Sequence, residues 1–245
     1  MFDSYAEIFA ERGAAYHAAM AACPNARDAE FRTVLEPLRD RPSGLLCDMP
    51  SGGGYLAAHL PSGIRYVGVD PSDDFIDACP PGLDRIKADL TAVPLDDTSV
   101  DYIVSLAGLH HEPDLSSVFR EMHRLLKPAG RLVIADVNVN TAPAIFLNGF
   151  VHANNPMGHE GRFFDDQTSK LLEDTGFHLL DNRMLDVPWQ FDTREQAARF
   201  CRQLFWMPSL PPETVADAME REIGFDCSET AVSLRWTLRR IVCRA

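Results

Sequence analysis

Five short apolar runs dominate the first half of the chain: Leu45-Leu46-Cys47, Tyr66-Val67-Gly68-Val69, Arg85-Ile86-Lys87-Ala88, Tyr102-Ile103-Val104 and Arg131-Leu132-Val133-Ile134-Ala135. Runs of this length, bounded by turn residues and alternating with helical segments, read as βαβ units, which means a parallel sheet covered on both faces. Between the fourth and fifth runs, Leu115 to Leu126 puts Val118, Met122 and Leu125-Leu126 at helical spacing, and Pro128-Ala129-Gly130 stops that helix. Two helical stretches precede the first run. One spans Tyr5 to Met20, with Ile8, Phe9 and Tyr16 on its apolar positions, and another follows Pro24 and ends near Arg39.

The turn after the first run is the most informative local feature. Leu45-Leu46-Cys47-Asp48-Met49-Pro50-Ser51-Gly52-Gly53-Gly54-Tyr55 takes a strand through an acid and three glycines into a predicted helix over 55–60. Glycines let the backbone approach a ligand closely, and a helix N-terminus offers unpaired N–H groups. Two nucleotide-type readings compete. Gly52 to Ala57 can be written G-x-G-x-x-A, a dinucleotide fingerprint, with Asp70 as the ribose-binding acid. Alternatively, Asp48 to Gly54 is one unit.

As that unit it resembles the first motif of the class I S-adenosylmethionine-dependent methyltransferases, D/E-x-G-x-G-x-G. Asp48, Gly52 and Gly54 match, while Pro50 replaces the first glycine and brings a fixed negative φ and no N–H. The resemblance continues in order. Val67-Gly68-Val69-Asp70-Pro71-Ser72 is similar to the second motif, Ala88-Asp89-Leu90 with Val93 to Tyr102 to the third, Ser105 to His111 to the segment after strand four, and Arg124 to Leu132 to the run into strand five. A dehydrogenase has no reason to carry the later motifs. The similarity covers about residues 44–137, with a weaker echo over 171–177. It implies a doubly wound, mostly parallel, Rossmann-like α/β sheet of about seven strands, the last antiparallel. It also implies S-adenosylmethionine as cofactor and S-adenosylhomocysteine as product. The residues it assigns to the cofactor are Asp48, Pro50, Ser51, Gly52, Gly54, Asp70, Pro71, Asp89, Leu90 and Ser105. Asp70 would accept both ribose hydroxyls and Asp89 the adenine amino group.

The second half has its own composition: Trp189, Trp206 and Trp236 all lie beyond residue 180. In this family a short hairpin joins the last two strands, so the extra residues here form an insertion. The expected organisation is an N-terminal helical cap over 1–43, a cofactor-binding core over 44–186, a helical insertion over 187–230 capping the cleft, and a final core strand over 231–245. Trp189, Phe191, Phe200, Phe205 and Trp206 would fill the insertion or line an apolar acceptor pocket. Tyr5 and Tyr16 could close over the cofactor, and Arg27 is expected to be solvent-exposed unless it meets the cofactor's carboxylate.

His110 and His111 follow the fourth strand, near the sheet edge where such folds bind ligands, and are the candidate catalytic residues for removing a proton from the acceptor. His152, His159 and Glu160 are alternatives, expected on a surface loop. No metal is expected, because metal-ligand spacing is absent at the plausible site. Arg235, Arg239, Arg240 and Arg244 make the C-terminal strand basic, read as a solvated face.

A net charge of -13, from 36 acidic and 23 basic residues, repels phosphate backbones and anionic lipid, so neither nucleic acid nor membrane is an expected partner. No secretory signal or spanning segment is read, the six cysteines form no C-x-x-C pair, and the expected setting is cytoplasmic, as a monomer or homodimer. The expected function is methyl transfer to an O, N or C nucleophile of a small, fairly apolar molecule, with a small-molecule acceptor as the partner. The alternative is a cofactor-binding protein of the same fold with a cyclase-type or noncatalytic role.

Overall fold

A computed structural model describes residues 5–41, 43–228 and 230–245; the side chains of residues 5–8 and 10 lie outside the described residues. The central sheet has seven strands in the order β3-β2-β1-β4-β5-β10-β6. These are β1 (Gly44–Asp48), β2 (Ile64–Asp70), β3 (Asp84–Lys87), β4 (Val100–Leu106), β5 (Leu126–Asp136), β6 (His178–Asp186) and β10 (Thr237–Arg244). The first five pair in parallel, while β10 runs antiparallel to both β5 and β6. The parallel part is what the strand alternation predicts, and the seven-stranded doubly wound order with an antiparallel strand is what the motif resemblance implies.

The two faces of the sheet explain why the central strands are apolar throughout. Leu46, Val104, Val133 and Ala135 point into one buried cluster, and their chain neighbours Cys47, Ile103, Leu132 and Ile134 into another. Helices α1 (Tyr5–Ala22) and α2 (Asp28–Leu35) cover the first face; α4 (Leu115–Leu125) packs on the second together with α7 (Asp166–Asp174). The remaining short helix of the first half, α3 (Asp73–Ala78), starts where the Ser72 hydroxyl accepts from Phe75 N. The α4 helix is capped by Asp114, and α7 by an Asp165–Thr168 capping box.

Between β5 and α7 the chain forms α5 (Ala142–Phe146), a π-helical turn over Leu147–Val151 and α6 (His152–Asn154). Between β6 and β10 it forms β7 (Trp189–Phe191), α8 (Arg194–Leu204), α9 (Pro212–Glu222), β8 (Phe225–Cys227) and β9 (Val232–Leu234). The insertion is therefore more than helical: β7, β9 and β8 make a small antiparallel sheet of their own. The final strand expected over 231–245 is two strands, because the chain turns at Arg235-Trp236 to bury the Trp236 indole against Trp189, with ring centroids 4.4 Å apart. The predicted helix after the glycines is a 3-10 segment, Tyr55–His59.

One further expectation is corrected by packing. Arg240 is buried, donating to Glu36, Asp181 and the Thr33 carbonyl, because β10 lies inside the sheet and its face here is covered. Arg235 and Arg244 are exposed as expected. All six cysteines are free, and Cys47, Cys79, Cys201 and Cys243 are buried.

Candidate active site

The glycine-rich turn is tied to the end of β2 by its backbone. Ser51 N donates to Val69 O (2.9 Å), and Gly52 N to Asp70 Oδ2 (2.8 Å), while Asp70 Oδ1 accepts from Ser72 N (2.9 Å). Gly52 and Gly54 have φ of 53° and 73°, the left-handed region that suits glycine. Gly68 lets the turn lie flat on β2, since a Cβ there would sit 3.0 Å from Ser51 Oγ. The Met49–Pro50 peptide is cis.

A cavity of about 870 Å³, its open mouth included, starts at this turn. Asp48, Pro50, Ser51, Gly52, Tyr55 and Leu56 form its floor. Asp48 is buried at the end of β1 with Oδ2 accepting from Tyr66 OH (3.0 Å), and no ion pair to it occurs among the described residues. Burial, with a smaller contribution from Asp70, pushes its carboxyl up to about 8. Among the described residues, Gly54, Asp70, Pro71, Asp89, Leu90 and Ser105 do not line this cavity. Asp70 is fully buried behind the turn, Leu90 sits in the apolar core, and Asp89 is exposed and accepts from Thr91 N and its hydroxyl. The Ser105 hydroxyl is buried without a hydrogen-bond partner. Sequence reading did not single out Glu112. It lies near Asp89 and Asp70, and burial together with these two acids raises its carboxyl to about 7.

The N-terminal helices roof the cavity. Phe9 and Tyr16 pack on Phe75, with centroids 4.6 and 5.4 Å away, and His17 Nδ1 meets Tyr55 OH at 3.1 Å. Tyr16 thus reaches the cavity, whereas the Tyr5 side chain lies outside the described residues. Arg27, expected in solvent, is only 4% exposed. It donates to Glu30 (Nε to Oε2, 2.6 Å) and to Tyr16 OH, and Glu30 Oε1 accepts from the Trp189 indole N–H (2.8 Å). Burial pushes the Glu30 carboxyl up, and Arg27 and Trp189 draw it part of the way back. This knot joins α2 to the insertion, whose Trp189, Leu204, Phe205 and Trp236 form an apolar cavity wall.

The third wall carries three histidines. His110, His111 and His159 bring one ring nitrogen each to within 4.8 Å of one another. His159 was expected on a surface loop, yet it is 5% exposed because the α5–α6 segment folds back over the sheet edge. His152 and Glu160 are exposed. His110 Nδ1 lies 2.6 Å from Asp136 Oδ1, and Asp136 Oδ2 accepts from His110 N (3.2 Å). Enclosure, then the neighbouring His110 and Arg12, hold the His111 and His159 imidazoles well below the usual histidine range, so both are neutral at neutral pH. Arg12, from α1, lines the same wall with Nη2 3.4 Å from His111 Nε2.

A family model for a methyltransferase domain matches residues 47–134, which run from β1 into β5 and contain the whole glycine-rich turn. By that match, residues 47–134 form a methyltransferase domain. The ubiquinone/menaquinone biosynthesis C-methyltransferase UbiE of Geotalea uraniireducens is 31% identical to this methyltransferase core over 118 residues, 43% of this chain and 50% of that one. The chain thus spans about half the length of the curated relatives it matches. Among solved structures, Bacillus subtilis YcgJ aligns with a TM-score of 0.66 at 15% identity, covering 89% of this chain and 98% of that one. Haemonchus contortus phosphoethanolamine N-methyltransferase 2, solved with phosphomonomethylethanolamine and S-adenosylhomocysteine, aligns with a TM-score of 0.65 at 15% identity, over 98% of this chain and 60% of that one. No helix among the described residues is long and apolar enough to cross a membrane.

Proposed function

We propose that this protein transfers a methyl group from S-adenosylmethionine to a small, largely apolar acceptor held in the cavity beside the glycine-rich turn. One observation carries the reading: a single cavity runs from Asp48 and Pro50-Ser51-Gly52 to the wall of Trp189, Phe205 and Trp236. Donor and acceptor bound in one enclosed space are held in line and shielded from water, which is most of what such an enzyme contributes. The cofactor, when bound, supplies an activated methyl group on a sulfonium. The cavity suits it, because Asp48 is a buried acid whose carboxylate a bound ammonium or sulfonium would favour. Asp70, behind the turn, would order the same loop by accepting from Gly52 N and Ser72 N.

The aromatic wall and the enclosed shape favour a ring-bearing small molecule over a polymer, in keeping with the acidic surface. The quinone-biosynthesis name of the relative points the same way. Incubation with S-adenosylmethionine and a panel of small aromatic acceptors should give S-adenosylhomocysteine and a product one methylene heavier by mass spectrometry. Rearranged acceptor of unchanged mass would favour a cyclase-type role, and failure to bind S-adenosylhomocysteine in calorimetry would sink the proposal.

Asp48 gives this reading a pH signature. Below about pH 8 the free protein holds Asp48 protonated, and a bound cation that favours the carboxylate expels that proton. Binding of S-adenosylhomocysteine at neutral pH is therefore expected to release protons to the buffer and to tighten as pH rises towards 8. Calorimetry in two buffers of different ionisation enthalpy measures the release. Equal release from Asp48→Asn would show that another group is responsible.

A further inference from the structure

Resting on the methyl-transfer reading, we propose that His110 and Asp136 form a general-base pair for an acceptor carrying an acidic hydroxyl, a phenol or enol, seated between the histidine wall and the aromatic wall.

The hydrogen inventory of the wall leads there. Asp136 is 1% exposed, and its carboxylate accepts from Val137 N (2.7 Å), His110 N (3.2 Å) and His110 Nδ1 (2.6 Å). A carboxylate so engaged holds the imidazole hydrogen on Nδ1, leaving Nε2 of His110 as a bare acceptor. His159 is set the same way. Asn148 Oδ1 accepts from Gly161 N (2.8 Å) while its Nδ2 donates to Gly161 O (3.0 Å), which fixes the amide. The His159 Nδ1 hydrogen must then go to Asn148 Oδ1 (3.0 Å), so its Nε2 is bare as well. Two imidazoles on one cavity wall thus present lone pairs, and a ligand there has to bring hydrogens to them.

Charge selects which hydrogens. Arg12 lines the same wall beside His111, and the methyl donor is itself cationic, so an ammonium acceptor would face two positive charges. A neutral hydroxyl meets no such opposition, and the oxyanion it becomes is stabilised by Arg12. In the step proposed, the O–H bond breaks and its electron pair stays on oxygen. The proton bonds to His110 Nε2, and the imidazolium is balanced by Asp136. The resulting oxyanion, or the ring carbon conjugated to it, is the nucleophile. His159 Nε2 would accept from a second hydroxyl of the acceptor.

Three clustered imidazoles could instead hold a divalent transition metal. Arg12 opposes that arrangement, since its N–H groups can only donate and so draw on the lone pair of His111 Nε2.

The test needs no methyl donor. para-Nitrophenol is titrated with the purified protein, and the ionisation of the bound probe is followed by absorbance across neutral pH. The wild type should hold about ten times more bound phenolate relative to phenol than His110→Gln, one pKa unit. Asp136→Asn should lose most of the effect, and both variants should still bind S-adenosylhomocysteine in calorimetry. Equal ionisation in His110→Gln, or no binding of the probe to the wild type, overturns the proposal. So does an effect removed by chelator and restored by zinc, which would assign the histidines to a metal. Failure to bind S-adenosylhomocysteine would instead strike the methyl-transfer reading and leave the probe ionisation as a separate result.

Discussion

Replacing Glu30 with alanine is expected to lower the stability of the folded chain by about 3–5 kcal/mol, the usual cost of removing one partner from a buried ion pair. Arg27 would be left inside the protein with its charge uncompensated, and the Trp189 indole N–H would lose its acceptor. For a chain of this length that corresponds to a melting temperature lower by about 6–20 °C. Glu30→Gln keeps a hydrogen-bond acceptor for Trp189 and should fall between the two. A thermal scan that separates Glu30→Ala from wild type by less than about 1 kcal/mol would mean that the knot is not a structural tie.

The second large effect concerns Asp70. Its two carboxylate oxygens hold the amides of Gly52 and Ser72, so Asp70→Ala frees the glycine-rich turn and the start of α3 at once. Loss of these charge-assisted bonds, at about 1.5–3 kcal/mol each, should weaken S-adenosylhomocysteine binding by about 100-fold or more. Amide hydrogen exchange at Gly52 and Ser72 should quicken in the same variant. An affinity within about threefold of wild type, with unchanged exchange, would remove Asp70 from any role in ordering the site.

These two residues differ in how far they could be read from sequence. Asp70 closes an apolar run, two residues after a glycine and immediately before a proline, so its place at the end of β2 follows from local pattern. The same holds for β1, β4 and β5, whose burial on both faces writes itself as unbroken apolar runs. Glu30 gave no such signal. Its partner Trp189 is 159 positions away, and nothing in an amphipathic α2 separates a buried glutamate from a solvated one. Arg27 and Arg240 are likewise illegible, because a cation is exposed by default: Arg27 is enclosed with Glu30 under the distant Trp189, and Arg240 is covered by the distant Glu36.

The histidine wall is an intermediate case. His110 could be placed after β4 from sequence, but Asp136 and His159, which give it a proton inventory, come from the end of β5 and the loop beyond α6. The split of residues 231–245 into β9 and β10 is hidden in the sequence because no glycine or proline marks the turn at Arg235-Trp236. Only the stacking of Trp236 on Trp189 reveals the turn between them.

The bond between Glu30 and Trp189 also bears on how acceptor preference could be transplanted. The roof of the cavity comes from one end of the chain and its aromatic wall from the other, and they are keyed together by a buried charge and an indole. A chimera that imports only the insertion would bring a wall with no matching key, and one that imports only the first two helices would strand an acid in apolar surroundings. New specificities in this scaffold should therefore be inherited as a matched pair of segments.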